Sequence, residues 1–334
     1  MDTPIWVWLG FLAFVLLLLA FDLGLLHRKQ REIKVNEALC LSLVYFFLAA
    51  VFNAGVFRLR GEQAGWEFMT GYLIEKSLSL DNIFVFVLVF THFAVPAVYQ
   101  HRVLFWGILG ALAMRGLMIG AGAALIAAFH WILYLFGAFL VATAIKMLLA
   151  ADAKPDLSRN RVLNFVRSRF RVTDAYHDER FFIRRDGRLW ATPLFLALVL
   201  IELTDLVFAV DSIPAIFAIT QDPFIVYSSN VFAILGLRAL YFALAAVVHR
   251  FHYLKYGLSL VLLVIGGKML AADFYKLPTW TALAITATLI GGSILASLLR
   301  PVREAVPAGW IPGSPAQPEP VEETAVRPEE RKAL

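Results

Sequence analysis

The hydrophobic positions of this chain neither alternate nor fall in narrow helical stripes. They fill nine long blocks, at roughly 5–26, 38–57, 67–93, 103–128, 131–151, 191–219, 224–248, 254–272 and 279–299. An α-helix needs about 20 mostly apolar residues to cross the hydrocarbon core of a bilayer. The pattern therefore predicts an all-α membrane protein with about nine transmembrane helices. Very short polar turns, such as Phe129-His130-Trp131 and Gln221-Asp222-Pro223, make some of these helices antiparallel neighbours. The third and sixth blocks exceed a straight crossing, so they are expected to tilt, kink or break.

Composition agrees with the pattern. The chain is 60% hydrophobic and 16% charged, where soluble domains average roughly 45–50% and about 25%. The formal net charge of +5 is explained by loops, which removes the case for a nucleic-acid partner and leaves membrane lipid as the surrounding one. Lys and Arg in loops set orientation. The N-terminal Met1-Asp2-Thr3-Pro4 has no basic side chain, the segment 27–34 is strongly basic, and 152–190 carries ten Lys and Arg. The expectation is a multi-pass protein of a bacterial-type inner (plasma) membrane, N-terminus outside and C-terminus cytoplasmic. Arg58 and Arg60 run against it, in a predicted outer loop. The first block has no basic n-region and is too long for a signal peptide. Within the basic loop, 161–170 reads either as ordinary positive-inside sequence or as a basic amphipathic helix on the membrane surface. Residues 301–334 hold seven of the fourteen prolines and are expected to be disordered.

Against this apolar background stand two acidic segments. Glu75-Lys-Ser-Leu-Ser-Leu-Asp81-Asn82-Ile83 is matched 130 residues later by Asp205-Leu-Val-Phe-Ala-Val-Asp211-Ser212-Ile213. A carboxylate at the bilayer centre costs about 2.5–3.5 kcal/mol on insertion scales. The repeat continues: Arg115 is answered by Arg238, and Tyr134 to Lys146 by Tyr256 to Lys268. Three blocks thus map onto the next three, and an odd number of crossings inverts the second unit. Inverted repeats of this kind are a transporter architecture. The organisation read from sequence is two N-terminal transmembrane helices (1–66), a first three-helix repeat (67–151), a basic cytoplasmic loop (152–190), a second, inverted repeat (191–272), a ninth helix (273–300) and the tail (301–334).

Helical spacing puts Glu75, Ser79 and Asn82 on one face, and Glu202, Asp205, Ala209 and Ser212 on one face of the sixth block. Pro214 frees the carbonyl of Val210: the turn there is either unwound, offering backbone oxygens, or simply kinked. Candidate ligands are all oxygen: Glu75, Asp81, Glu202, Asp205 and Asp211, with Asp22, Asn53, Asn82 and Ser212 as additional ones. Such a set suits Mn²⁺, Mg²⁺ or Ca²⁺ rather than soft metals. Arg115, Arg238, Lys146 and Lys268 are charge-pairing candidates, and a purely structural set of buried ion pairs is the competing reading. Two arginines cannot neutralise five carboxylates, which favours a cation site or shared protons. The single cysteine, Cys40, is expected as inert packing in the second block and excludes dithiol chemistry within the chain.

The segments Glu75-Lys-Ser-Leu-Ser-Leu-Asp-Asn82 and Glu202-Leu-Thr-Asp-Leu-Val-Phe-Ala-Val-Asp-Ser-Ile-Pro214, with Lys268-Met-Leu, resemble the TerC family, named for tellurium resistance, and most closely its Alx-like branch. The resemblance covers residues 1 to about 300. It implies inverted three-helix repeats related to the LysE exporter superfamily, and export of manganese from the cytoplasm. It implies that Glu75, Asp81, Glu202, Asp205 and Asp211 occupy metal-site positions. The resulting expectation is a transporter, not an enzyme, with Mn²⁺ as the transported ion, Ca²⁺ and Mg²⁺ as alternatives, and proton exchange as a candidate driving force. The alternative is a non-transport stress-response scaffold or redox modulator.

Overall fold

The computed structural model describes residues 3–26, 35–149, 169, 171–173, 175–185, 187–245, 251–272 and 278–300. Ten helices and one hairpin lie among them: α1 (Ile5–Leu26), α2 (Val35–Arg60), α3 (Glu62–His92), α4 (Ala97–Ala128), α5 (Ile132–Leu149), β1 (Phe182–Arg185), β2 (Arg188–Ala191), α6 (Pro193–Phe217), α7 (Pro223–Leu235), α8 (Leu237–Leu244), α9 (Leu254–Leu270) and α10 (Thr279–Leu299). Helix is the expected answer to a bilayer, where backbone groups must be satisfied within the segment. Six segments are long and apolar enough to cross a membrane: α2, α4, α5, α6, α7–α8 taken together, and α10. In α1 the apolar stretch is Ile5–Phe21, α9 has 17 residues, and α3 carries Glu75, Lys76 and Asp81 along its 31.

Small residues set the helix approaches. Gly137 of α5 and Gly266 of α9 meet backbone to backbone, a Cβ on either falling 3.2 or 2.9 Å from the other's carbonyl oxygen. A Cβ on Gly71 of α3 would lie 2.9 Å from Ser229 Oγ of α7. Glycine at a contact lets backbones close to a distance a side chain would forbid. The principal pairings are α5 with α9, α3 with α7, α4 with α6, and α3 with α6. The N-terminal helices lean on this bundle through an aromatic cluster in which Phe52 packs tilted at 4.7 Å on Phe232 and Phe11 meets Phe224 edge-to-face at 5.4 Å.

The structure closes one alternative and adds two findings. Helix α6 stays helical through Pro214 and ends at Phe217; the interruption falls at Gly236, between α7 and α8. Cys40 is exposed on α2 rather than packed. The end of the basic loop is built: β1 and β2 pair antiparallel, Phe182 opposite Ala191 and Arg185 opposite Arg188. The remainder of that loop from 152 to 168, including most of 161–170, and the tail 301–334 lie outside the described residues.

The hairpin is fastened to the bundle. Tyr176 donates its hydroxyl to the carbonyl of Phe93 at 2.6 Å, Arg102 pairs with Glu179 at 3.1 Å, and Phe182 packs on Phe195 of α6 at 4.5 Å. Burial pushes the Tyr176 phenol up to about 12. At the opposite end Arg60 pairs with Asp222 at 2.6 Å, bonds Thr3, and lies over the Phe224 ring. This contact accounts for a basic residue where loop charge alone does not expect one.

Candidate ion site

The two acidic segments converge on one guanidinium. Arg115, 1% exposed at the middle of α4, is flanked by α3, α6 and α7. Its Nη1 donates to Glu75 of α3, to Asn230 Oδ1 of α7 at 2.8 Å and to Ser212 Oγ of α6 at 3.3 Å. Its Nη2 and Nε donate to the two carboxylate oxygens of Asp205 of α6, at 3.0 and 3.2 Å. Asn82 adds its amide to Asp205 Oδ1 at 3.3 Å. Glu75, Asn82, Asp205, Ser212 and Asn230 are all buried. Two carboxylates therefore share one cation in the buried interior of the bundle. Stripping either partner from such a pair costs roughly 3–5 kcal/mol.

The cluster is not saturated. Glu75 Oε2 and Asn82 Oδ1 are buried without a hydrogen-bond partner among the described residues, with the Ser212 hydroxyl near the Glu75 carboxylate. Buried oxygen acceptors are almost always satisfied, so two orphans on α3 need an explanation. They sit where Glu75 and Asn82 share a face at a spacing of seven, as the sequence leads one to expect.

Around this centre the other acids are dispersed. Glu202 is half-buried one turn before Asp205, its carboxylate laid against Gly110 of α4; a Cβ there would fall 2.0 Å from Glu202 Oε1. Asp211 accepts from Thr143 Oγ1 of α5 at 3.1 Å, with Lys146 within electrostatic range. Asp81 has Lys255 of α9 within range. Lys146 is exposed, and half-buried Lys268 has Glu67 in range. Arg238 is buried on α8, and Asn53 is buried with Oδ1 unpartnered, outside the Arg115 contacts. The side chain of Asp22 lies outside the described residues. Among the described residues no three of His, Cys, Asp and Glu gather closely enough to hold a metal ion. Any ion at the centre must draw on amide, hydroxyl or backbone oxygens beside Glu75 and Asp205.

Two participants escape a reading of the sequence for acids. Asn230 lies in the polar triplet Ser228-Ser229-Asn230, all buried in mid-helix. Its Nδ2 bonds the Val226 carbonyl at 3.0 Å, which fixes Oδ1 toward Arg115. Lys76 of α3 reaches the Gly236 break and donates to the Ala233 carbonyl at 3.1 Å, a cation at the carbonyl end of a helix.

A sequence profile described as the integral membrane protein TerC family matches residues 60–305. An uncharacterized membrane protein of Myxococcus xanthus is 51% identical over 294 residues, 88% of this chain and 92% of that one. Alx of Escherichia coli K12, whose name proposes a membrane-bound redox modulator, is 48% identical over 292 residues, 85% of this chain and 91% of that one. An uncharacterized membrane protein of Rickettsia felis is 43% identical over 88% of this chain and 97% of its own. No solved structure matches the chain. With its acidic segments meeting inside a helical bundle and a match over most of its length, the chain belongs to the TerC family of integral membrane proteins.

Proposed function

We propose that this protein transports a divalent cation, Mn²⁺, out of the cytoplasm through the Glu75–Asp205 centre, at the interface of two inverted three-helix halves. The observation that carries the reading is the pair of buried, unpartnered oxygens, Glu75 Oε2 and Asn82 Oδ1, beside the Asp205 carboxylate. Carboxylate, amide and hydroxyl oxygens suit Mn²⁺, Mg²⁺ or Ca²⁺. Mn²⁺ is preferred on family resemblance, and geometry rather than raw affinity must exclude Zn²⁺. Proton exchange is the candidate driving force.

The halves are supported by a second relation. The offset that takes Lys146 to Lys268 also takes Gly137 to Ser259 and Ala144 to Gly266. Gly137 meets Gly266, and the corresponding Ser259 and Ala144 are both buried. Small residues therefore recur seven apart on both α5 and α9, in the order an antiparallel two-fold crossing needs. The ligand oxygens come from α3 in one half and α6 in the other. The redox reading attached to the name of Alx gains nothing from a chain whose one cysteine is exposed on α2.

The test is uptake by liposomes carrying the purified protein, with Mn²⁺, Mg²⁺, Ca²⁺ and Zn²⁺ supplied in turn. Mn²⁺ is expected to move and Zn²⁺ to move poorly, with Glu75→Gln and Asp205→Asn each slowing Mn²⁺ at least tenfold while the protein remains monodisperse. Correctly inserted wild-type protein that moves none of the four ions overturns the proposal.

A further inference from the structure

We infer that Arg115 is a tethered counter-ion: the transported cation displaces its guanidinium from Glu75 and Asp205, and the guanidinium returns to them when the site empties. This rests on the transport reading above and adds to it how the empty carrier resets.

The geometry has three parts. First, Arg115 sits where a cation between the halves would sit, bonded at once to an acid from α3 and an acid from α6. A substrate ion cannot take both carboxylates while the guanidinium holds them. Second, the guanidinium has somewhere to stay. Nη1 has two hydrogens but faces three acceptors, Glu75, Ser212 and Asn230. Asn230 and Ser212 can keep Nη1 hydrogen-bonded when the acids leave, so the displaced guanidinium stays tethered at the site. Third, the grip is incomplete. Of the four carboxylate oxygens, three are engaged by Arg115, and Glu75 Oε2 has no hydrogen-bond partner among the described residues. An arriving ion has one carboxylate oxygen and Asn82 Oδ1 open to it before any Arg115 contact breaks.

Charge then decides the cycle. With the guanidinium kept on Asn230 and Ser212, two carboxylates, a divalent cation and Arg115 sum to one positive charge. Without the ion, the two acids carry two negative charges in low dielectric, a species too costly to traverse the bundle. Arg115 lowers that to one. A carrier with this device returns empty at lower cost. One lacking it holds its ion and moves only when loaded.

The experiment compares wild type, Arg115→Met and Arg115→Lys on three readouts: Mn²⁺ affinity in detergent, Mn²⁺-for-Mn²⁺ exchange of tracer across liposomes, and net Mn²⁺ flux into liposomes without internal metal. Arg115→Met is expected to bind Mn²⁺ at least tenfold more tightly, because its internal competitor is gone. It is expected to keep exchange within a few-fold of wild type while losing net flux at least tenfold. Its melting temperature is expected to fall in metal-free buffer and to rise with Mn²⁺ by more than the wild type's. Arg115→Lys restores part of the net flux. If Arg115→Met binds Mn²⁺ more weakly and loses exchange together with net flux, or retains net flux, Arg115 is not a counter-ion. Absence of both fluxes in wild type would instead mark failure of the transport reading itself.

Discussion

Gly110 shows how a single residue of the site is dictated by its neighbour. The Glu202 carboxylate occupies the volume where a Cβ would stand, 2.0 Å from the nearest oxygen. Gly110→Ala is therefore expected to push the Glu202 carboxylate away at a small cost, because the nearest atoms it meets are the far end of a flexible, half-buried side chain. In a double-mutant cycle measured by thermal unfolding, Glu202→Ala should remove most of that penalty, because the two residues touch; additive losses would place the clash elsewhere. The acids themselves divide by position. Asp81 and Asp211 lie away from the Arg115 centre, beside Lys255 and Thr143. Asp81→Asn and Asp211→Asn are expected to slow Mn²⁺ flux at least tenfold while leaving equilibrium Mn²⁺ affinity within about threefold; a large loss of affinity would bring them into the ligand set. Helical spacing makes legible that Glu75 shares a face with Asn82, and Asp205 with Ser212, but not that the two faces meet or that Asp81, Glu202 and Asp211 stand apart from Arg115. Which arginine joins them is not legible either, since Arg115 and Arg238 are equivalent in sequence and only packing separates them. Asn230 is hidden for a different reason: a buried amide in an apolar helix carries no charge to advertise it.

At the scale of elements, the apolar blocks place helices close to their observed ends, the largest gap being 103 against Ala97, because in a bilayer hydropathy and secondary structure are nearly one constraint. They do not place the break at Gly236, whose local sequence differs little from unbroken glycine-containing helices; Lys76 at the Ala233 carbonyl is a tertiary cause. Nor does loop charge reveal the hairpin. The signal for it is present, in Asp186-Gly187 between Phe182-Ile-Arg-Arg185 and Arg188-Leu-Trp-Ala191, and Asp-Gly between short β-prone runs is a hairpin turn; Gly187 has φ +68°. The Tyr176–Phe93 bond that fastens this element makes a pH prediction. Burial raises the phenol from 10.0 to about 12, so the fold favours the neutral form. The contribution is complete below pH 10 and is lost as pH rises through about 12. Amide exchange in residues 176–191 should accordingly hold steady between pH 7 and 9 after correction for intrinsic rates, and Tyr176→Phe should raise it across that range. Unchanged exchange in Tyr176→Phe would show that the Arg102–Glu179 pair and the Phe182–Phe195 packing hold the hairpin without it.

For the whole molecule, the two ends of the bundle are defined by two contacts far apart in sequence. At one end Arg60 joins Thr3 and Asp222, so the N-terminus, the α2–α3 junction and the α6–α7 turn share a side. At the other, Tyr176 and Glu179 join the hairpin to the α3–α4 junction. From Thr3 to the hairpin the chain passes through α1 to α5, an odd number of helices, so crossings by all five put the two contacts on opposite faces. If α3, α4 and α5 each cross, the second half of the proposed transporter is inverted relative to the first, and Arg60 does not count against this because Asp222 holds it. Labelling decides the arrangement directly. In a Cys40→Ala background, Thr3→Cys is expected to react with a membrane-impermeant maleimide in intact cells. Arg188→Cys, exposed on the hairpin, is expected to react only after permeabilisation. Reaction of both in intact cells would put the hairpin and the Arg60 contact on one face, make the number of crossings between them even, and remove the inversion on which a two-halved ion site depends.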